Sequence, residues 1–314
     1  MDAAFVGIDV SKDKLDVHVR PSSEVFFVPR NAEGIDEMIR RLRPLSPAII
    51  GIEATGGFEQ VVAAGLAGAG LPVAVVNPGQ VRAFARSLGQ RAKSDPIDAA
   101  VIAHFIEATK PDVRPLPDEQ TRLLAELVTR RRQIIQMLVA ERQREQHPLS
   151  RSLKKSLARL IKALEKELNT LDEGIDDALR DSEVWKESQD LMKSVTGVGD
   201  ITARTMLAEV PEIGTLDRRQ IASLVGVAPF VRQSGRWKGK SFIAGGRANV
   251  RAVLYMAALT AARSNPVLRA FYLRLLANGK CKKAALIAVA RKLLTILNAI
   301  VRDRKPWTPV QVPA

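Results

Sequence analysis

Cysteine, aromatic residues and histidine are all scarce in this chain. Of 314 residues, one is Cys (Cys281), 4% are Phe, Trp or Tyr, and three are His. One cysteine excludes an intramolecular disulfide, so packing must hold the fold, and a reducing, cytoplasmic setting fits. His18, His104 and His147 are scattered and there is no cysteine pair, which argues against a zinc centre. No apolar stretch is expected to reach the ~20 residues of a membrane span, because the longest hydrophobic runs carry Lys or Arg. Met1-Asp2-Ala3 lacks a basic leader region, so neither a secretory signal nor membrane association is expected. Acid is scarce in one place above all. From Val227 to Ala314, Asp303 is the single carboxylate against 17 Lys and Arg.

That asymmetry says more than the total. The chain carries +14 overall and +16 in its last quarter, so the preceding 226 residues sum to −2. A field concentrated in this way attracts and steers a polyanion, and nucleic acid is the expected partner. A merely solubilising surface is the plainer alternative. With 46% hydrophobic residues the chain has material for a sizeable core, and its length suggests about two domains.

Strand and helix signals alternate in the first 110 residues. Phe5 to Val10 reads as a strand, Ser11 to Lys14 as a polar turn, Leu15 to Val19 as a half-buried strand and Glu24 to Val28 as a third. Asn31 should cap a helix running to about Leu42. Ala48 to Ile52 is short and wholly apolar, as a central buried strand is. A helix after Gly57, a strand over 71–76 and a further helix complete a mixed α/β sheet whose order fits a ribonuclease-H-like architecture. Pro111, Pro115 and Pro117 break the chain before a helical region. Leu123, Leu127, Ile134 and Leu138 form one stripe. Leu153, Leu157, Leu160, Leu164, Leu168, Leu171, Ile175 and Ala178 form another, in steps of mostly three and four with one skip. His147-Pro148 separates them, which predicts a long antiparallel hairpin over 118–185, a spacer or dimerisation arm. Its Arg130-Arg131-Arg132 run could also touch nucleic acid. Residues 190–306 read as a mainly helical domain and 307–314 as a frayed tail.

Two predicted strands end alike, as Gly7-Ile8-Asp9 and Gly51-Ile52-Glu53. Residues two apart share a sheet face, so each glycine leaves room beside its acid. Two carboxylates at the ends of neighbouring buried strands repel each other, and a divalent cation would resolve this. A second pair, Asp95 and Asp98, is three apart and shares a helix face with Ile102 and Phe105, which look buried. Asp95 as N-cap, Pro96 at the first helical position and Asp98 in the first turn is equally an ordinary helix start. Together the four acids offer an all-oxygen set suited to Mg²⁺ or Mn²⁺, and two such ions can serve phosphodiester chemistry.

Near the other end, Gln233 to Lys240 is a polar loop holding Ser234, Arg236, Lys238 and Lys240, preceded by Arg232 and followed by Ala244-Gly245-Gly246-Arg247 and Arg251. A serine there could attack phosphorus while the cations stabilise the developing charge. Ser-Gly is also a common turn dipeptide, and Ser241 competes for the role. Thr196-Gly197-Val198-Gly199 is similar to the hairpin of helix-hairpin-helix modules, where backbone N–H groups at Gly197 and Gly199 hold a phosphate. A bare turn between helices is the alternative.

Taken in order, these residues resemble one family over nearly the whole chain. Gly7 to Lys12, Ile52 to Gly56, Val76-Asn77-Pro78, Lys93 to Ala99, Thr196 to Gly199, Ser234-Gly235, Leu254 to Ala258 and Ala277 to Lys280 are similar to the DEDD transposases of the insertion-sequence one-ten family, the RNA-guided bridge recombinases. Pro96 inside the acidic pair is the one departure. The resemblance implies a RuvC-like N-terminal domain binding Mg²⁺ through Asp9, Glu53, Asp95 and Asp98, and a C-terminal domain whose Ser234 becomes joined to a DNA 5′ phosphate in a composite active site. It further implies donor and target DNA, a structured guide RNA and a dimer or tetramer. Two other functions compete. A junction-resolving endonuclease would use water as nucleophile, with Ser234 structural. A non-catalytic nucleic-acid scaffold would need none of the acids.

Overall fold

The computed structural model describes residues 3–54, 56–90, 95–113, 118–147, 150–231, 233–234, 237–239 and 241–308, the side chains of Asp95, Pro96, Trp237 and Lys238 excepted. The chain divides into two compact units, Met1–Leu116 and Pro117–Ala314.

The first unit is built on five strands: β1 (Phe5–Val10), β2 (Lys14–Arg20), β3 (Glu24–Pro29), β4 (Ile49–Glu53) and β5 (Val73–Val76), in the order β3-β2-β1-β4-β5. β1, β2 and β3 are antiparallel, whereas β4 and β5 run parallel to β1. β1 is therefore the middle strand, with β4 between it and the β5 edge. Alternation along the strands makes two apolar faces. Val6, Ile8, Val10, Leu15, Val17 and Val19 bury one face against α1 (Ala32–Leu42) and α2 (Phe58–Gly68). Asn31 caps α1, its side chain accepting from the Gly34 N–H at 2.9 Å. Phe5 and Val76 on the other face meet Val81 of α3 (Pro78–Ser87) and Ile102, Phe105 and Ile106 of α4 (Asp95–Thr109).

In the second unit, α5 (Glu119–Glu145) and α6 (Arg151–Arg180) form the expected hairpin. Its stripe differs from the sequence expectation at both ends. Leu124 and Val128 are buried where Leu123 was expected, and Leu123 is exposed; Leu179 rather than Ala178 is the fully buried residue at the far end. The roots of both helices enter the unit's main core, so tertiary packing, not the two-helix seam, decides which face turns inward. Farther out, Ile134, Leu138, Leu164 and Leu171 form a separate small core. Leu153 and Leu160 remain exposed near the tip.

The arginine run is largely structural. Arg131 grips Asp172 through Nε at 2.7 Å and Nη2 at 3.1 Å, and Arg132 pairs with Glu209 at 2.6 Å. Arg204 adds to this network by reaching both Asp172 and Asp176. Helices α7 (Glu183–Lys193), α8 (Asp200–Glu209), α9 (Arg218–Val225), α10 (Ala248–Ser264), α11 (Pro266–Ala277) and α12 (Lys282–Asp303) complete the unit. Contrary to the expectation that no apolar stretch reaches the length of a membrane span, α12 is long and apolar enough to pass as one by length and composition. Its Leu286, Val289, Leu293, Leu294 and Leu297 are instead buried in the core, and Arg291 and Lys292 interrupt it. The mainly helical reading omits one element: β6 (Gln233–Ser234) and β7 (Trp237–Lys238) form a short antiparallel hairpin.

Candidate active site

Gly7 pairs with Gly51 and Ile8 with Ile52 across the parallel β1–β4 contact, so Asp9 and Glu53 follow side by side at the same ends of adjacent strands. Both acids are half-buried. The glycines have a further use, because α4 lies directly on them. A Cβ on Gly7 would come within 2.2 Å of the Ala99 carbonyl oxygen and 2.3 Å of the Ala103 nitrogen, and one on Gly51 within 2.6 Å of Ile106 Cγ2. The Arg20–Glu107 ion pair, at 2.5 Å, fixes the direction of α4: Arg20 is the cross-strand partner of Phe5, so the Glu107 end of the helix lies toward Phe5 while Ala99 and Ala103 lie on Gly7. The start of α4 is therefore turned toward the strand ends that carry Asp9 and Glu53. The helix begins at Asp95 itself, with half-buried Asp98 in its first turn and Ile102 and Phe105 buried as expected.

This oxygen-only donor set fits a hard divalent cation. Among the described residues no three Asp, Glu, His or Cys side chains gather into a metal-binding group, and the Asp95 side chain lies outside them.

Sequence reasoning missed Asp16. It is the cross-strand partner of Asp9 and only 5% exposed. Lys14 Nζ hydrogen-bonds its Oδ1 at 3.3 Å and lies 3.0 Å from Oδ2 as an ion pair without hydrogen-bond geometry. The alternation of Leu15, Asp16 and Val17 assigned Asp16 to a solvated face, but α4 covers that face. Counting back across the Ser11–Lys14 turn, closed by the Ser11 hydroxyl donating to the Lys14 carbonyl at 2.8 Å, would have placed it beside Asp9. His18 faces Gly7. Partial burial, then the neighbouring Arg20 charge, hold its pKa below the usual imidazole value. His104 packs edge-on against Phe84 with ring centres 5.1 Å apart.

In the second unit, Ser234 is exposed and pairs with Trp237 at the end of the hairpin. Ser241 is exposed as well. Arg232, Arg236, Lys240 and the Lys238 side chain lie outside the described residues. The remaining two cations already have intramolecular partners. Arg247 forms a bidentate pair with Glu212, both contacts at 2.6 Å. Arg251 donates to the carbonyls of Gly245 at 2.5 Å and Val225 at 3.4 Å. These bonds hold the 244–247 segment against the end of α9, where a Cβ on Gly246 would meet the Gly226 nitrogen at 2.3 Å. Gly197 takes φ +105° against the backbone of Ala261 in α10, so its space is filled by that helix. Gly199 precedes α8 and has open space around it, and Asp200 at the first helical position pairs with Lys193 at 2.6 Å. The Lys193 hydrogen bond lowers the Asp200 pKa.

The profile of the DEDD transposases of IS110 matches residues 6–168, just over half of the chain. The chain belongs to this transposase family. A second profile, of the transposases of the IS116/IS110/IS902 family, matches residues 189–273. Among curated proteins, the pilin gene-inverting protein of Moraxella bovis is 28% identical over 320 residues, 98% of each chain. The insertion element IS116 uncharacterized 44.8 kDa protein of Streptomyces clavuligerus is 30% identical over 161 residues, 49% of this chain and 40% of that one. The insertion element IS900 uncharacterized 42 kDa protein of Mycobacterium paratuberculosis is 30% identical over 165 residues, 50% of this chain and 39% of that one. Membership makes the chain an enzyme of DNA rearrangement, with DNA as its substrate class. The first profile covers the acids and the second covers Ser234.

Proposed function

We propose that the chain is a site-specific recombinase that cuts and rejoins DNA at insertion-sequence ends and target. Its chemistry is shared between an acidic site of Asp9, Glu53, Asp95 and Asp98 and a nucleophile, Ser234. The observation that carries this reading is the pairing of Gly7-Ile8-Asp9 with Gly51-Ile52-Glu53 under the start of α4. The strand order supports a ribonuclease-H-like, RuvC-like unit. Gene inversion, named for the Moraxella relatives, is the kind of rearrangement we infer here.

The four carboxylates would hold Mg²⁺ or Mn²⁺, most simply as two ions, which when bound supply charge stabilisation at a phosphodiester. Ser234 attacks phosphorus, so its Oγ–P bond forms while the bond from phosphorus to the 3′ oxygen breaks. The product is a 5′-phosphoserine link and a free 3′ hydroxyl, which carries the proton lost by the serine. Arg232, Arg236, Lys238 and Lys240 neutralise the phosphate; Arg247 and Arg251 support the loop from behind and come to DNA only by exchanging partners. Gly197 and Gly199 hold a flanking phosphate. The C-terminal charge excess also suits a structured guide RNA from the same element, with sequence choice delegated to base pairing. Exposed Leu153 and Leu160 on the helical arm support assembly into a dimer or tetramer, and the setting is the cytoplasm.

The test mixes the purified chain with element-flanking RNA, end-labelled DNA and Mg²⁺, and looks for a denaturation-resistant protein–DNA adduct. We expect the adduct with the native chain and none with Ser234→Ala or Asp9→Ala. Free ends without an adduct would establish the water-using endonuclease instead. Unchanged DNA after all treatments would leave a binding scaffold.

A further inference from the structure

The hairpin that carries Ser234 has an unusual root. Phe230 and Phe242 face each other across it, and their backbones are locked together. Phe230 N–H donates to the Phe242 carbonyl at 2.8 Å, and Phe242 N–H to the Phe230 carbonyl at 3.2 Å. The rings stack with centroids 5.7 Å apart and planes inclined by 22°. Yet Phe230 is 53% exposed, Phe242 40%, and the adjoining Val231 59%. The main core of this unit lies close by in sequence, with Val225 and Val227 buried. A pair of rings held rigid at the surface is thus a preformed apolar platform, and little conformational freedom is left to lose when something lands on it.

We propose that Phe230 and Phe242 form a nucleobase-stacking site for the DNA next to the phosphate that Ser234 attacks. The inference rests on the reading of Ser234 given above. Three observations select DNA bases over other occupants. The segment from Val227 onward carries 17 cations against one acid, a field that draws a polyanion and disfavours an acidless partner surface of like charge. Phe230 lies four residues before Ser234, so at most about 13 Å of extended chain separates them, a distance of a few nucleotide steps. The three exposed side chains present on the order of 300 Å², well short of the ~800 Å² that each side of a stable protein interface contributes. A phenyl ring at such a surface offers a base an aromatic partner, and such stacking tolerates any sequence. The platform would hold a base unstacked beside the reacting phosphate and so set the register of the strand on the serine.

The test separates bases from phosphates. Binding of the full chain is measured, across a range of salt, to a single-stranded 20-mer of thymidylate and to an abasic 20-mer of the same phosphate count. The native chain should prefer the thymidylate strand by roughly five- to hundredfold. Phe230→Ala/Phe242→Ala should remove that preference, with abasic binding, salt slope and melting temperature unchanged, and Phe230→Trp should retain it. Equal preference in the double variant and the native chain would overturn the proposal. So would a parallel loss on both strands, or a loss of self-association with thymidylate binding intact. A defect confined to a uridylate RNA 20-mer would reassign the platform to RNA and defeat the DNA assignment. Ser234→Ala should leave the preference untouched; if that variant still forms the covalent adduct, the nucleophile reading fails while the stacking result stands.

Discussion

Single atoms decide the acidic site. Gly7 admits the α4 backbone because it has no Cβ, and no nearby side chain can move to make room, since the atoms it would meet are backbone. Gly7→Ala should therefore push α4 away and destabilise the first unit by about 1–3 kcal/mol, as overpacking does, with a lower thermal midpoint as the readout. The acids make a different prediction. If they hold a divalent cation, Mg²⁺ should raise the melting temperature of the native chain by linkage, and Asp9→Asn or Glu53→Gln should abolish that shift. A shift that survives both substitutions would move the metal elsewhere. His18 sets a pH response. Its pKa is lowered in the fold by burial and Arg20, so the unfolded chain binds the proton more readily. Stability should be unaffected above about pH 6.5, the ordinary imidazole value, and should fall as pH drops below it toward the depressed folded value. His18→Gln should flatten that part of a melting-temperature profile.

At the scale of elements, the helical arm is two structures in one. Its root belongs to the second unit's core and is tied by Arg131, Arg132 and Arg204 to Asp172, Asp176 and Glu209. Arg204 is only 13% exposed, so Arg204→Ala takes the arginine from Asp176 and leaves Asp172 to Arg131 alone. Because those carboxylates are themselves partly solvated, a loss of about 1–3 kcal/mol is expected in denaturant unfolding, below the fully buried case. The tip is different. Leu153 and Leu160 contribute little to the monomer, being exposed. Leu153→Glu/Leu160→Glu should leave the melting temperature nearly unchanged and shift the mass in sedimentation toward monomer. An unchanged oligomer would exclude this stripe as the contact.

Across the whole molecule, charge is segregated by sequence position, with +16 after Val227 and −2 before it. DNA affinity should fall steeply with salt, and replacing Lys282 and Lys283 by Gln should reduce the slope of log affinity against log salt by up to about 2 if both meet phosphate. An unchanged slope would place the contacts on other cations. The same asymmetry made the nucleic-acid reading legible before any fold was known. The placing of Asp9 and Glu53 at the ends of neighbouring strands was legible too, because Gly-Ile-Asp and Gly-Ile-Glu each end an apolar run. Asp16 was not, since period-two alternation reports which residues share a face but not whether a helix covers it. Nor was the true face of α5, where Leu124 displaced Leu123, because the core that receives it is assembled from helices as far along the chain as Ile175 and Ile300.

The amino-acid order alone thus determined most strands and helices, the strand-end positions of Asp9 and Glu53 and the one-sided charge, all of which can be read from neighbours along the chain. Only the tertiary fold decided that β1 and β4 lie in register, that α4 rests on their glycines, that Arg131 and Arg132 are spent on ion pairs and that two phenylalanines stay at the surface. Those outcomes come from contacts between residues far apart in sequence, whose energies no local pattern contains.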